Sequence, residues 1–230
     1  MIRRDFLSAA LVSPVLMGAA AALDAGNAPV APGRVVKPLP FNPRKLKGLS
    51  EKLLTSHHAN NYSGAVKNLN KVEEEISKLK ADAAGFLVSG LRERQLQFHN
   101  SMTLHEAYFG NLGGDGKQSG ALAKALGAKW EEPFRATALS LAGGSGWLTL
   151  GLHTSTGELF TAWSGNHTQA PSGSLPLLVL DMYEHAYAMD YGAAAAKYVD
   201  AFFANLKWEE VERRFELAKV ALKTLLAQPG

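Results

Sequence analysis

Asp181-Met-Tyr-Glu-His185 follows directly on the apolar run Leu175-Pro-Leu-Leu-Val-Leu180. A short apolar run of this kind reads as a buried strand. The segment therefore sets a carboxylate and an imidazole at a strand end, a combination that few folds require. His57 and His105 fall on the apolar faces of two helical segments in the N-terminal half. If these four side chains converge, three neutral nitrogens and one anionic oxygen surround a common point, and that donor set suits a redox-active first-row metal. The chain has no cysteine. Disulfides, thiolate metal sites and cysteine nucleophiles are thereby excluded, and any metal must be held by nitrogen and oxygen.

The elements that position these residues can be traced by periodicity. Leu49, Leu53, His57, Asn61, Ala65, Leu69, Val72, Ile76 and Leu79 recur at three- and four-residue steps, with Ser50 as the expected N-cap. After Asp82 a second row carries Leu91, Phe98, Met102, His105, Phe109 and Leu112. Two helices joined by a short turn near Ala81 must run antiparallel to share these faces. His57 and His105 stand equally far from Ala81 in sequence. Equal rise per residue then brings them to one level, provided both helices are straight and free of a π-bulge.

Beyond Gly110 to Gly120, the best candidate boundary, helical segments are expected around Ala121 to Leu126 and Trp130 to Leu141. Three strands follow at Trp147 to Leu152, Leu159 to Trp163 and Leu175 to Asp181, then a last helical region from Tyr198 to about Leu226. The fold class is α+β: an N-terminal antiparallel helical hairpin, then a C-terminal domain with a three-stranded antiparallel sheet and helices.

At 230 residues, 47% hydrophobic and 20% charged, the chain is expected to be globular rather than disordered or multi-spanning. The net charge of +3, with dispersed basic residues, argues against a nucleic-acid partner. Arg3 and Arg4 precede a short Ala/Gly-rich apolar segment that reads as an export peptide with a twin-arginine-like pattern. The expected organisation is a cleaved signal over 1–25, a Pro-rich extended arm over 26–48, a helical hairpin domain over 49–112 and a C-terminal α/β domain over 118–230. A periplasmic or secreted protein without a membrane segment in its mature form follows from that reading.

Several motifs carry a family likeness. Asp181-Met-Tyr-Glu-His-Ala-Tyr187 is similar to the signature Asp-Xaa-Trp-Glu-His-Ala-Tyr, and Gly144-Ser-Gly-Trp147 matches a Gly-Ser-Gly-Trp turn. Val66-Lys-Asn-Leu-Asn70 closes an ungapped stretch from Ser50, and Leu104-His-Glu-Ala-Tyr-Phe109 surrounds the second histidine. From about Leu39 to Leu226 the chain resembles the iron/manganese superoxide dismutase family, with Phe202 and Trp208 fitting its C-terminal helix. The resemblance implies that His57, His105, Asp181 and His185 ligate one Fe or Mn ion per subunit, that superoxide is the substrate, and that oxygen and hydrogen peroxide are the products. It implies that His167 is the hydrogen-bond partner of metal-bound solvent. It also implies a homodimer with Glu184 and His185 near the two-fold interface, and an aromatic wall of Tyr108, Phe109, Trp147 and Tyr183.

The sequence departs from the family pattern around the substrate channel. Asn61 stands where the family has a channel histidine, Ala65 where it has a gateway tyrosine, and Ala188 where it has a second tyrosine. Ala195 replaces a funnel arginine. These changes look like a rebuilt entrance in which proton delivery and steering of the anion differ, and Tyr62 offers a substitute catalytic hydroxyl. Ser101, where some iron-type relatives carry Gln, does not decide between iron and manganese. Two other readings stay open on the sequence: a catalytically weak metal-binding paralogue and a non-haem iron oxygenase.

Overall fold

The computed structural model describes residues 33–226. The expected export signal and the first residues of the Pro-rich arm lie outside the described residues. From Gly33 to Leu49 the arm is non-helical apart from a 3-10 turn at Pro43–Lys45, where the Asn42 side chain accepts from the Arg44 N–H. Among the described residues no helix is long and apolar enough to cross a membrane.

Helix α1 (Glu51–Ser56) starts as expected, with the Ser50 hydroxyl accepting from the Leu53 N–H at 3.0 Å. It runs without a break through a π-helical stretch, His57–Tyr62, into α2 (Ser63–Ser77). α3 (Gly85–Gly110) returns antiparallel to it. The π stretch corrects one detail of the expected apolar row. A wider turn puts five residues rather than four between successive positions on the same face. The buried position after His57 is therefore Tyr62, while Asn61 moves to the flank and is only half-buried. The two histidines nonetheless meet across the hairpin, with ring centroids 5.0 Å apart.

After α4 (Gly120–Leu126) and α5 (Glu131–Leu139), the turn containing Gly146 feeds β1 (Trp147–His153). Gly146 has φ of 149°, and a Cβ there would meet the Ser164 carbonyl at 2.4 Å, so only glycine fits. β2 (Leu159–Ser164) and β3 (Ser174–Asp181) flank β1 in an antiparallel sheet of order β2-β1-β3. The register pairs Trp147 with Ser164 on one side and Asp181 on the other. β1 and the second half of β3 are buried, as the apolar runs require.

The expected single C-terminal helix is two, α7 (Ala195–Ala204) and α8 (Trp208–Leu226), preceded by a short α6 (Ala188–Tyr191). Tertiary contacts impose the break. Leu206 forms an isolated antiparallel bridge with Leu112, and the Lys207 N–H donates to the Asn111 carbonyl at 2.7 Å. The buried Asn205 side chain accepts from the Lys47 N–H at 2.8 Å and donates to the Lys47 and Ala201 carbonyls, each at 2.7 Å. This one amide ties the arm to the C-terminal helices.

Asn205→Ala removes three hydrogen bonds, two of them to backbone groups of the exposed Lys47 that water can reach, and each lost bond costs about 0.5–1.5 kcal/mol net. Urea unfolding is expected to show a loss of about that size with an unchanged m-value. A midpoint equal to that of the wild type would contradict it.

Candidate metal centre

Four elements deliver one side chain each to a buried point. His57 stands at the junction of α1 and the π stretch, His105 on α3, and Asp181 is the last residue of β3. His185 lies four residues on, in a 3-10 turn, Glu184–Ala186. One ligand atom from each lies within 4.8 Å of all the others. Asp181 Oδ2 sits 3.1 Å from His57 Nε2, 3.2 Å from His185 Nε2 and 3.6 Å from His105 Nε2.

Asp181 is held from several sides. Its Oδ1 accepts from the Tyr183 N–H at 2.9 Å, which turns the chain after the strand and leaves Oδ2 facing the histidines. Its backbone carbonyl accepts from the Tyr198 hydroxyl at 2.7 Å. Burial alone would push its carboxyl up, but hydrogen bonds from His185 and His57 and their charge interactions outweigh that and hold it well below the usual carboxylate range. Burial pushes the His57 imidazole down, and it pushes His105, with help from neighbouring His57, down to about 3. The outcome is an anionic oxygen beside the neutral rings of His57 and His105, the protonation states that metal ligands need.

The hydrogen-bond pattern tests whether a cation fits. His105 Nδ1 donates to the Ser101 carbonyl at 2.7 Å, so its Nε2 carries a lone pair. That buried Nε2 has no hydrogen-bond partner and faces the Asp181 carboxylate. A lone pair aimed at a buried anion is repulsive unless a positive ion lies between them. The residues present therefore fit a metal ion held by His57, His105, Asp181 and His185.

Around this group the wall is aromatic. Tyr108 and Phe109 lie against the His57 ring at 5.2 and 5.0 Å, and Trp147 meets His105 edge-on at 5.0 Å. The Trp147 indole N–H donates to His167 Nδ1 at 2.8 Å, so His167 keeps its proton on Nε2. Tyr183 is sandwiched between the rings of His167 and His185, at 4.8 and 5.3 Å. Asn100 Nδ2 donates to the His167 carbonyl at 2.7 Å. The histidine of a Gly/Ser/Pro-rich loop is thus drawn into the site, and burial lowers its pKa.

A cavity of about 220 Å³ ends on His105, His167 and His185. Asn60, Asn61, Gly64 and Ala65 line one side, and Gln97 and Ser101 line the other. Tyr62 is not brought to it. The Tyr62 hydroxyl donates to Glu106 Oε1 at 2.9 Å and accepts from the Lys37 N–H at 3.0 Å. It lines a separate cavity of about 420 Å³ beneath the arm, and burial pushes its pKa up to about 12. Glu184 is exposed, and Ala195 is buried. Sequence reasoning missed the Ser101 carbonyl and the Tyr198 hydroxyl as orienting groups. Only the i, i+4 spacing of Ser101 and His105 on one helix gave any signal.

The model of the iron/manganese superoxide dismutase C-terminal domain matches residues 118–214. An iron superoxide dismutase of Cupriavidus metallidurans is 45% identical over 190 residues, 80% of this chain and 96% of the relative. The chain belongs to the iron/manganese superoxide dismutase family. An iron superoxide dismutase of Aquifex aeolicus is 33% identical over 201 residues, with 80% of this chain and 92% of the relative covered. A manganese superoxide dismutase of Halobacterium salinarum is 32% identical over 192 residues, with 79% and 94% covered. Relatives named for either metal therefore match this superoxide dismutase family member along nearly their whole length.

The lowered histidine pKa values set a pH dependence for the metal-free protein. The unfolded chain takes up protons on His57 and His105 near the ordinary value of 6.5, while folded His105 resists down to about 3. Because the unfolded state binds more protons, stability is full above about pH 6.5 and declines as pH falls from there towards 3. His105 alone accounts for a loss on the order of 2 kcal/mol between pH 7.5 and pH 5. Urea unfolding of chelator-treated protein at those two pH values checks this, and equal midpoints would contradict it.

Proposed function

We propose that the chain disproportionates superoxide at a single iron or manganese ion held by His57, His105, Asp181 and His185. It is a superoxide dismutase, an oxidoreductase. The observation that carries the residue assignment is the convergence of three imidazole Nε2 atoms on one buried carboxylate oxygen in a member of this family. Bound iron or manganese supplies a one-electron couple that two superoxide ions can use in turn, one leaving as dioxygen and the other, with two protons, as hydrogen peroxide.

The protein's own groups set the conditions for that exchange. Asp181 brings one negative charge, which favours the more highly charged state of the ion. The Ser101 carbonyl holds the His105 ring with its lone pair inward, and the Tyr183 N–H does the same for Asp181 Oδ2. His167, its Nδ1 occupied by Trp147, presents an Nε2–H that can hold a proton beside the cavity end. The aromatic wall packs against His57 and His105, which with Asp181 are buried. The tight cavity and the family membership favour this reading over an oxygenase, which needs room for an organic substrate.

Two further assignments rest on the sequence. Arg3 and Arg4 before an apolar segment support export to the periplasm or beyond. An exposed Glu184 beside His185, in the segment that pairs across a two-fold axis in the family, supports a homodimer.

Asp181→Asn removes the only anionic ligand. Elemental analysis and a superoxide consumption assay are expected to show a chain depleted of metal, with activity at the free-metal background. Full metal content with wild-type activity would sink the assignment. His167→Ala is expected to keep its metal and lose about 10- to 100-fold in rate, the usual penalty for losing a partner of a metal ligand or its solvent.

A further inference from the structure

The cavity that ends on the histidines shares Gln97 and His167 with an adjoining hollow of about 230 Å³ bounded by Glu93, Asn166, Thr168 and Tyr183. The polar groups on these walls are chiefly amides and hydroxyls. Histidines aside, Glu93 is the wall residue that carries a full charge, and its sign repels an anion. Ala195 is buried and brings no cation from the C-terminal side. An anionic substrate entering by this route meets no attractive charge on the lining itself.

Arg94 lies next to Glu93 on α3 and is exposed. Its Nη1 donates to Gln97 Oε1 at 2.6 Å, one turn further along the same helix face. Among the described residues it makes no ion pair, so no carboxylate contact cancels its charge. The guanidinium is therefore anchored to Gln97, which lines both hollows together with His167.

We propose that Arg94, oriented by Gln97, is the steering cation for anions approaching the metal cavity, and that Glu93 opposes it. The proposal rests on the superoxide dismutase reading, and it assigns to α3 a charge that sits elsewhere in the family pattern. Arginine stays charged at any working pH. A unit charge acting through water at about 10 Å changes the local concentration of a monovalent anion about twofold at low salt, and physiological salt screens most of that. Gln97 is a positioning residue: without its carbonyl the guanidinium swings free of the rim.

The test uses the full metal-loaded chain and its Arg94→Gln, Arg94→Lys and Glu93→Gln variants. Two quantities are read at low and high ionic strength: the second-order rate constant for superoxide, and azide affinity from the absorption of the metal site. Arg94→Gln is expected to lower both about twofold at low salt and to flatten their salt dependence, whereas Arg94→Lys keeps most of each. Glu93→Gln is expected to raise both. An Arg94→Gln protein with wild-type azide affinity and wild-type salt dependence would overturn the proposal. A wild-type protein that binds metal and azide but consumes no superoxide would overturn the enzymatic reading instead, and the azide titration would still decide the role of Arg94. Should Arg94→Gln fail to fold, Glu93→Gln decides it: a rise in both quantities at low salt supports the charge balance at the rim, and no change in either would overturn it.

Discussion

Asp181 is fully buried and charged, and the rest of the site exists to make that tolerable. An isolated carboxylate in an apolar interior is far too costly to persist ionised. Here one oxygen accepts from the Tyr183 N–H, while the other faces three imidazoles, two from segments distant in sequence and the third from four residues on. Removing any one of those segments would leave the anion exposed to its own desolvation cost. The fold is therefore closed around the charge, and a cation at the centre satisfies the carboxylate and the unpartnered His105 nitrogen together.

The position of that carboxylate is set by the sheet. Pairing of Trp147 with Asp181 places the indole beside the strand end, and the same indole reaches His167. One tryptophan thus fixes both the edge of the aromatic wall and the protonation pattern of the histidine nearest the cavity. The glycine before it is required because the β2 backbone passes too close for any side chain. Local turn chemistry, strand register and the orientation of a proton donor are in this way one constraint.

The π stretch divides the surroundings of the metal centre in two. It turns Tyr62 towards the arm, where Lys37 and Glu106 occupy its hydroxyl, and turns Asn61 towards the cavity above the histidines. The tyrosine strengthens the hold of the arm on the hairpin. The cavity is left with amides and small residues, so charge for guiding an anion must come from the rim rather than from the lining.

The sequence by itself determined the elements and the ligand types. Apolar periodicity marked both hairpin helices, the short apolar runs marked three strands, and the absence of cysteine restricted the donors to nitrogen and oxygen; these are local properties, legible residue by residue. The motif from Asp181 to His185 also pointed to the family, which the relatives bear out. Only the tertiary structure decided which way side chains faced and what they touched. The shift of the buried position from Asn61 to Tyr62, the split of the last helix at Asn205, and the capture of His167 by Trp147 all depend on contacts between residues far apart in the chain. Backbone propensity favours none of them over its alternatives. They arise because buried polar groups must find partners, and which partners are within reach is known only once the chain has closed on itself.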